Sequence, residues 1–240
     1  MSRLNFIAHD FETTGVNAKT CGVVQSAIAI VSIDIFGNWE IETEEVAYHH
    51  PGCPIPAGTA AVHGITDERV KGLPDYEETL PETYLEAMKY NPQGVIGYNS
   101  NRFDNVIAKR VGMPDLMGLD MMVAANRMMS RGHITRARLV DAYEQLTGKP
   151  PQNAHDAMAD VMMTLELIKP VMEIMEFEGF PDFVGWLTTP EANPKMKMPF
   201  GKHKGSPLNI IPKGYLQWLA EKDDLQEELA LSVRAALSGR

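Results

Sequence analysis

The first 48 residues of the chain contain three strand-like segments in succession, and this order restricts most strongly what the chain can fold into. Leu4–Glu12 and Val23–Ile35 are apolar and partly β-branched, and Ile41–Tyr48 follows after the turn residues Phe36-Gly37-Asn38. Such runs, bounded by turn residues, are typical of strands. Strands joined by a short turn pair antiparallel, so we expect the chain to open with an antiparallel meander.

Beyond residue 48, helical segments alternate with one further strand. The short apolar run Gly94–Tyr98 predicts a buried strand. Helices are predicted at Pro81–Tyr90, Phe103–Val111, Thr135–Leu146 and Asn153–Phe177, the last of them interrupted by Pro170 near Lys169. Strands followed by alternating strands and helices predict an α/β domain, with a mixed sheet flanked by helices.

Composition agrees with a folded domain that buries a large core. Of the 240 residues, 44% are apolar and 22% are charged, which excludes wholesale disorder. No apolar run reaches the roughly 18 residues of a membrane span, and the N-terminus turns polar too soon for a signal peptide, so no membrane association is expected. Cys21 and Cys53 lack the spacing of a zinc site or a disulfide framework, which favours a reducing cytoplasm.

Charge and proline content divide the chain near residue 190. The net charge is −10, yet residues 191–240 carry 8 Lys and Arg against 6 Asp and Glu by count. We expect a catalytic domain over residues 1–187, a linker over 188–197 and a small basic and aromatic module, helical or α/β, over 198–240. In that module Tyr215 and Trp218 either pack into a small core, which we favour, or stack on a single nucleic-acid strand beside the lysines.

Two carboxylates, Asp10 and Glu12, interrupt the first apolar strand. Residues two apart on a strand leave the same face, about 6.6 Å apart along the chain. Such pairs also occur by chance on solvated strands. Here, however, the pair lies where an apolar strand runs into Thr13-Thr14-Gly15, which solubility alone does not explain.

Two further acids and a histidine allow more than one interpretation. Asp104 follows the predicted strand Gly94–Tyr98 and is also suited to the first turn of a helix. His155 and Asp160 either pair with each other or act at one centre. Five residues on a helix turn about 500°, so action at one centre requires His155 in the loop or cap and Asp160 inside the helix.

If the four acids meet, they require a counter-charge. Two carboxylates about 4 Å apart repel by about 4 kcal/mol at an effective dielectric constant of about 20. Oxygen ligands favour hard cations, so two Mg²⁺ or Mn²⁺ ions are the expected cofactors. Such a pair of ions activates a water and stabilises the leaving oxygen in phosphodiester cleavage, and His155 is then suited to be the general base.

Four ordered motifs resemble those of the DEDDh-type 3′→5′ exonucleases, a family that includes the proofreading epsilon subunit of bacterial replicative polymerase and exonuclease I. They are Asp10-Phe11-Glu12-Thr13-Thr14-Gly15, His63-Gly64-Ile65-Thr66, Gly97-Tyr98-Asn99 through Arg102-Phe103-Asp104, and His155-Asp156-Ala157-Met158-Ala159-Asp160. The resemblance spans roughly the first three quarters of the chain, over the residues that carry these motifs. It implies a ribonuclease H-like fold.

The resemblance also implies roles for the matched residues. The acids that would bind two metal ions, with the first as the bridging ligand, are Asp10, Glu12, Asp104 and Asp160, and the base would be His155. The residues that would contact the 3′-terminal nucleotide are Phe11, Thr13, His63, Asn99 and Phe103. Many members carry Asn four residues before the third acid, whereas this chain has Ser100 there, so the hydrogen bonding around this motif is expected to differ.

The resemblance implies a metal-dependent 3′→5′ exonuclease that removes mononucleotides from single-stranded DNA, with replication or repair proteins as candidate partners. One alternative is an RNA-directed, oligoribonuclease-like exonuclease. A second is a non-catalytic module that binds nucleic acid or a polymerase, and the complete set of four acids and a histidine argues against it.

Overall fold

A computed structural model describes residues 3–153, 155–222, 225 and 227–239. The chain divides into two compact units, Met1–Leu187 and Thr188–Arg240. Each unit has its own buried apolar core. Among the described residues, no helix combines the length and apolarity needed to cross a membrane.

The first unit is built around a five-stranded mixed sheet with the strand order β3-β2-β1-β4-β5. Its strands are β1 (Leu4–Thr13), β2 (Val23–Ile33), β3 (Trp39–Tyr48), β4 (Gly94–Gly97) and β5 (Met117–Asp120). The first three strands pair antiparallel, whereas β1–β4 and β4–β5 pair parallel. The predicted meander and the mixed α/β sheet flanked by helices are therefore confirmed.

Helices cover both faces of this sheet. Those of the first unit are α1 (Ala57–His63), α2 (Asp67–Val70), α3 (Tyr76–Met88), α4 (Asp104–Arg110), α5 (Met121–Ser130), α6 (Leu139–Thr147), α7 (Ala157–Glu166), α8 (Ile168–Ile174) and α9 (Phe180–Thr188), whose last residue lies in the second unit. The second unit contains a 3-10 turn (Leu208–Ile210), α10 (Lys213–Ala220) and α11 (Glu227–Ser238).

The alternation of side chains along β1 separates two cores. Phe6 and Ala8 belong to the core that contains α5 to α9, whereas Ile7 and Phe11 belong to the core that contains α3 and α4. Because alternate residues of a strand leave opposite faces, the even-numbered positions continue toward the first of these cores. Asp10 and Glu12 are the next two even-numbered positions.

Several helices begin or end at residues other than the predicted ones, because capping and packing outweigh the local sequence signals for helix ends. α3 begins at Tyr76, five residues before Pro81, because the Asp75 side chain accepts a hydrogen bond from the backbone N–H of Glu77 and caps the helix. The predicted long helix starts only at Ala157 and divides into α7 and α8 at Leu167, close to the interruption predicted from Pro170. β5 and α5 were not predicted, because the methionine-rich segment that forms them has neither clear alternation nor a strong β-branched signal.

The second unit differs from expectation in its first residues. The predicted linker, 188–197, is hydrogen-bonded to the rest of the unit over its second half. The backbone N–H of Asn193 donates to Ser232 Oγ, and the carbonyl of Met196 accepts from the N–H of Leu208. The core of the unit consists of Met198, Leu208, Ile211, Leu216, Leu219, Leu229, Val233 and Ala236.

Packing of α3 on the sheet provides a stability test with an internal control. Leu80 is fully buried in the core beneath β2, whereas Leu85, on the same helix, is 67% exposed. We expect Leu80→Ala to lower the free energy of unfolding by about 2–5 kcal/mol, because it leaves a cavity in a packed core. Leu85→Ala should change it by no more than about 0.5 kcal/mol. Denaturant unfolding of both variants checks the prediction, and equal losses would contradict this packing.

Candidate active site

The two acids of β1 project from the middle of the sheet onto the face covered by α7. β1 is a central strand, and α7 packs across both β1 and β2. The side chains of Asp10 and Glu12 therefore lie between the sheet and this helix. Glu12 is 9% exposed, so its carboxylate is held largely out of water.

Asp104 reaches the same place from the neighbouring strand. β1 and β4 run parallel, with Ile7 opposite Val95, so their carboxyl ends lie at the same edge of the sheet. The chain leaves β4 at this edge, and Asp104 begins α4 shortly afterwards. Asp104 is 3% exposed, and its Oδ1 accepts a hydrogen bond of 3.2 Å from the backbone N–H of Phe11, between the two acids of β1.

His155 and Asp160 approach from the opposite side of the cleft. His155 lies in the turn before α7 with a left-handed φ of 70°, and Asp160 lies in the first turn of that helix. This is the arrangement that the five-residue spacing requires for action at one centre. Ligand atoms of Glu12, His155 and Asp160 all lie within 4.8 Å of one another.

A buried glutamine that sequence reasoning missed fixes the start of α7. Gln25 lies on β2 opposite Glu12 and is 2% exposed. Its Nε2 donates to Asp156 Oδ2 at 3.0 Å, and its Oε1 accepts from the backbone N–H of Ala157 at 3.3 Å. The other oxygen of Asp156 caps α7 by accepting from Ala159 N–H. Gln25 therefore links the strand beside Glu12 to the turn that carries His155.

A second missed group is a buried hydrogen-bonded chain on the far face of β1. His9 is 1% exposed, and burial lowers its pKa to about 4, so its imidazole is neutral. Its Nε2 lies 2.8 Å from Asn105 Oδ1, which can only accept, and its Nδ1 therefore accepts from the Tyr84 hydroxyl at 2.7 Å. Asn105 in turn donates to Asn101 Oδ1 at 3.0 Å. Because His9 precedes Asp10 and Asn105 follows Asp104, this chain ties the two acids' backbones together.

Asp120, at the end of β5, organises the loop that follows β4. Its carboxylate accepts hydrogen bonds from the backbone N–H groups of Asn99 and Asn101, and also caps α5 through Met122 N–H. Asn99 itself has a left-handed φ of 59°. Ser100, the departure from the family pattern, is fully buried, and a Cβ at Gly97 would lie only 2.5 Å from Ser100 Cβ. A carboxylate from another strand thus supplies much of the hydrogen bonding around this motif.

The predicted substrate contacts fall into two groups. Phe11 is 5% exposed, with its ring in the core beneath α3 and α4, and the half-buried Phe103 packs against that core. What Phe11 offers the site is therefore its backbone N–H, which holds Asp104. Thr13 and Asn99 lie at the ends of their strands, beside the acids.

His63 lies on the site side, at the end of α1. Its Nδ1 accepts from Ile65 N–H at 3.1 Å, and its Nε2 is buried without a hydrogen-bond partner among the described residues. Burial lowers the pKa of His63 most; the adjacent backbone of Thr13 raises it, and His155 lowers it further. The ring thus presents a buried polar atom beside Thr13 that has no hydrogen-bond partner in the described part of the chain.

Burial dominates the electrostatics of the acids, and the charges of neighbouring acids add to its effect. Burial, followed by the charges of Asp160, Asp104 and Asp156, raises the pKa of Glu12 to about 8. Burial raises the pKa of Asp104 to about 8 although backbone N–H groups oppose the shift, and it raises that of Asp160 to about 6 against the effect of His155. The pKa of Asp10 is raised well above its usual range by burial and by its acidic neighbours.

The donor set fits divalent cations. The acids provide hard oxygen ligands, and Asp160 Oδ1 is buried without any hydrogen-bond partner among the described residues. A buried carboxylate oxygen without a partner is costly, and cation binding removes this cost. Asp10, Glu12, Asp104 and Asp160 are thus the residues that would hold Mg²⁺ or Mn²⁺, with His155 beside them.

The two units match two different protein families. Residues 7–168 match the RNase_T family, described as Exonuclease, and residues 192–235 match a family described as "Putative quorum-sensing-regulated virulence factor". A DNA polymerase III subunit epsilon-like protein of Rhodobacter capsulatus is 25% identical over 193 residues, which are 78% of this chain and 26% of that protein. The chain thus spans about a quarter of the length of this relative.

Two solved structures of E. coli exonuclease I share the fold. The structure in complex with a dT13 oligonucleotide is 22% identical, with a TM-score of 0.61, over 81% of this chain and 47% of that chain. The zinc-bound form in complex with single-stranded DNA is 21% identical, with a TM-score of 0.58, over 73% and 42%. Since the exonuclease match covers residues 7–168 of 240, the chain belongs to the exonuclease family, and the DEDDh-type membership predicted from its motifs is confirmed.

Proposed function

We propose that this chain is a metal-dependent 3′→5′ exonuclease that removes mononucleotides from single-stranded DNA, with two divalent ions at Asp10, Glu12, Asp104 and Asp160. The observation that carries the proposal is the approach of Glu12, His155 and Asp160, from two separate segments of the chain, to within 4.8 Å. The charges of Asp104, Asp160 and Glu12 contribute, after burial, to the raised pKa of Asp10, and this supports a cluster of all four acids.

The substrate is inferred from the chemistry of the site and from the relatives. Hard cations among carboxylates bind phosphodiesters, and the solved relatives hold a dT13 oligonucleotide and single-stranded DNA. The name of the Rhodobacter relative connects it with a DNA polymerase subunit, which favours DNA over RNA. Replication or repair proteins are proposed partners on the same ground.

Each residue of the site has a separate task. When bound, the divalent ions favour formation of the attacking hydroxide and stabilise the leaving oxygen. His155 accepts the proton of the attacking water and, because it is exposed, returns that proton to solvent. Water adds to phosphorus while the bond to the 3′ oxygen of the penultimate nucleotide breaks, and this oxygen takes up a proton, which releases a 5′-mononucleotide.

The terminal nucleotide is positioned by His63 and Asn99 at the edge of the site. His63 Nε2 is buried beside the Thr13 backbone without a hydrogen bond among the described residues. Because Nδ1 of the same ring accepts from Ile65 N–H, Nε2 is suited to donate to the nucleotide. Asn99 lies at the edge of the site, with its backbone fixed by Asp120. These contacts select a free 3′ end by its shape and hydrogen bonds.

Loss of the base should reduce catalysis without unfolding the protein. We expect His155→Ala to lower kcat by about 10²–10⁴-fold, which is the contribution of a general base, and Asp10→Asn to lower it at least as much. The exposed Asp115, paired with Lys109 away from the site, supplies the control Asp115→Asn, which should retain full activity. Unchanged turnover in Asp10→Asn, at wild-type thermal stability, would refute the assigned site.

Substrate class and polarity can be measured in one digestion series. End-labelled single-stranded DNA, duplex DNA and RNA of matched sequence are incubated with Mg²⁺, with Mn²⁺ or with chelator. We expect stepwise shortening from the 3′ end, fastest for single-stranded DNA and absent with chelator or a 3′-phosphate block. Faster cleavage of RNA would support an oligoribonuclease-like enzyme, and no cleavage of any substrate would support a non-catalytic binding module.

The raised pKa values predict opposite effects of pH with and without metal. Between the unfolded pKa of about 4 and the folded pKa of about 8, folded Glu12 and Asp104 hold protons that the unfolded chain has lost, so metal-free stability falls as pH rises through this window. Metal binding requires the ionised forms and offsets the loss. We therefore expect Mn²⁺ to raise Tm more at about pH 8 than at about pH 6.

Asp104→Asn tests the origin of that effect. It removes one buried charge, so the metal-free Tm should decline less with pH and the Mn²⁺-induced rise should shrink. Asp115→Asn should behave like the wild-type protein. A rise in Tm that is equal at both pH values would contradict metal binding by these acids.

A further inference from the structure

The second unit carries a row of neighbouring aromatic rings that runs from the edge of its core to the exposed Trp218. His203 and Tyr215 lie with ring centroids 4.6 Å apart, Tyr215 and Trp218 lie 5.4 Å apart, and Lys222 Nζ lies 4.8 Å from the centroid of the Trp218 ring. We call these four residues the aromatic ladder. It runs from the turn at residues 200–205 to the end of α10.

The ladder is a surface feature. Trp218 is 49% exposed, whereas Leu216 and Leu219, on the same helix, are buried at 0% and 1%. Leu216 and Leu219 belong to the core of the unit, and Tyr215 only packs against its edge. The expectation that Tyr215 and Trp218 both form a small core is therefore wrong for Trp218, which presents half of its surface to solvent.

The turn beside the ladder is shaped to bring basic groups to it. Gly201 has a left-handed φ of 70°, and a Cβ there would approach the Tyr215 hydroxyl to 2.9 Å, so the turn lies directly against that ring. The exposed Lys202 and Lys204 flank His203 in the sequence, and the His203 ring meets the Tyr215 ring edge to face. Two exposed lysines thus lie in the turn that contacts Tyr215, and a third, Lys222, lies over the ring of Trp218.

Charge distinguishes this surface from the rest of the chain. Residues 195–217 contain five lysines and no acid, in a protein with a net charge of −10. Interfaces between proteins are depleted in lysine, whereas proteins that bind single-stranded nucleic acid combine basic grooves with stacking aromatics. The chemistry of the ladder therefore favours a polyanion with flat rings over a protein partner.

We infer that the aromatic ladder is a second binding site for single-stranded DNA, separate from the carboxylate cluster. Bases stack on Trp218 and Tyr215, and the phosphates pair with Lys202, Lys204 and Lys222. The choice of DNA rests on the proposed function, but the site itself needs neither metal nor hydrolysis. It gives the chain affinity for strands longer than the few nucleotides that the active site would hold.

The test measures binding of the full chain to a fluorescent single strand of about 30 thymidines in chelator, where no hydrolysis occurs. We expect Trp218→Ala to raise Kd by about 5- to 100-fold, the loss typical of one stacking ring. Trp218→Phe should keep most of the affinity. Lys222→Gln should weaken binding and flatten its dependence on salt, because one phosphate contact is lost.

Matched controls come from the first unit. Tyr90 is an aromatic residue with 42% exposure, and Lys89 is an exposed lysine, so Tyr90→Ala and Lys89→Gln should leave Kd unchanged. Quenching of tryptophan fluorescence by the strand should disappear in Trp218→Phe, because Trp218 is the stacking indole. Equal Kd values for wild-type, Trp218→Ala and Lys222→Gln proteins would overturn the inference.

Failure of this site and failure of the proposed function give different results. Trp218→Ala should retain the wild-type kcat on a strand of about four nucleotides, which is too short to need the ladder. If the protein cleaves DNA but Trp218→Ala leaves Kd unchanged, the second binding site is rejected and the proposed nuclease activity stands. If Trp218→Ala weakens binding but the wild-type protein cleaves no substrate, the proposed nuclease activity is rejected and the second binding site stands.

Discussion

Repulsion among buried carboxylates is the constraint on which the first unit depends. Asp10, Glu12, Asp104 and Asp160 share a volume in which burial and mutual charge raise the pKa of each. When both carboxylates are ionised, as metal binding requires, a pair about 4 Å apart costs about 4 kcal/mol even at an effective dielectric constant of about 20, so the ionised cluster would push its elements apart unless they were fixed. The surrounding fold supplies that fixation, and cations can remove the remaining cost.

The fixation comes from hydrogen bonds in the layers around the acids. On one face of β1, Tyr84, His9 and Asn105 form a buried chain that joins α3, the strand and α4. On the other, Gln25 joins β2 to the start of α7. The site thus rests on polar contacts that do not themselves take part in the proposed chemistry.

The sequence predicts the acids better than it predicts their support. Acidic side chains at apolar positions of a strand or a helix depart from the local hydrophobic pattern. Such a departure can be recognised from the sequence alone. No local sequence signal marks Gln25, His9 or Asp120. They matter because of hydrogen-bond partners that are distant in the sequence, as for Gln25 and Ala157, which are 132 positions apart. For the same reason α5 escaped prediction: its methionines fill a core whose shape is set by other elements.

The two units differ in charge and are therefore suited to different steps in binding a polyanion. The acidic first unit repels a phosphate backbone until cations occupy its carboxylates, so it favours binding only where the chemistry takes place. A basic second unit attracts the backbone with or without metal, and its exposed rings tolerate any base because every base has a stacking face. An acidic nuclease that lacked such a surface would depend on the last few nucleotides alone for its affinity. In this chain, the five lysines and the exposed Trp218 supply what the carboxylate cluster cannot.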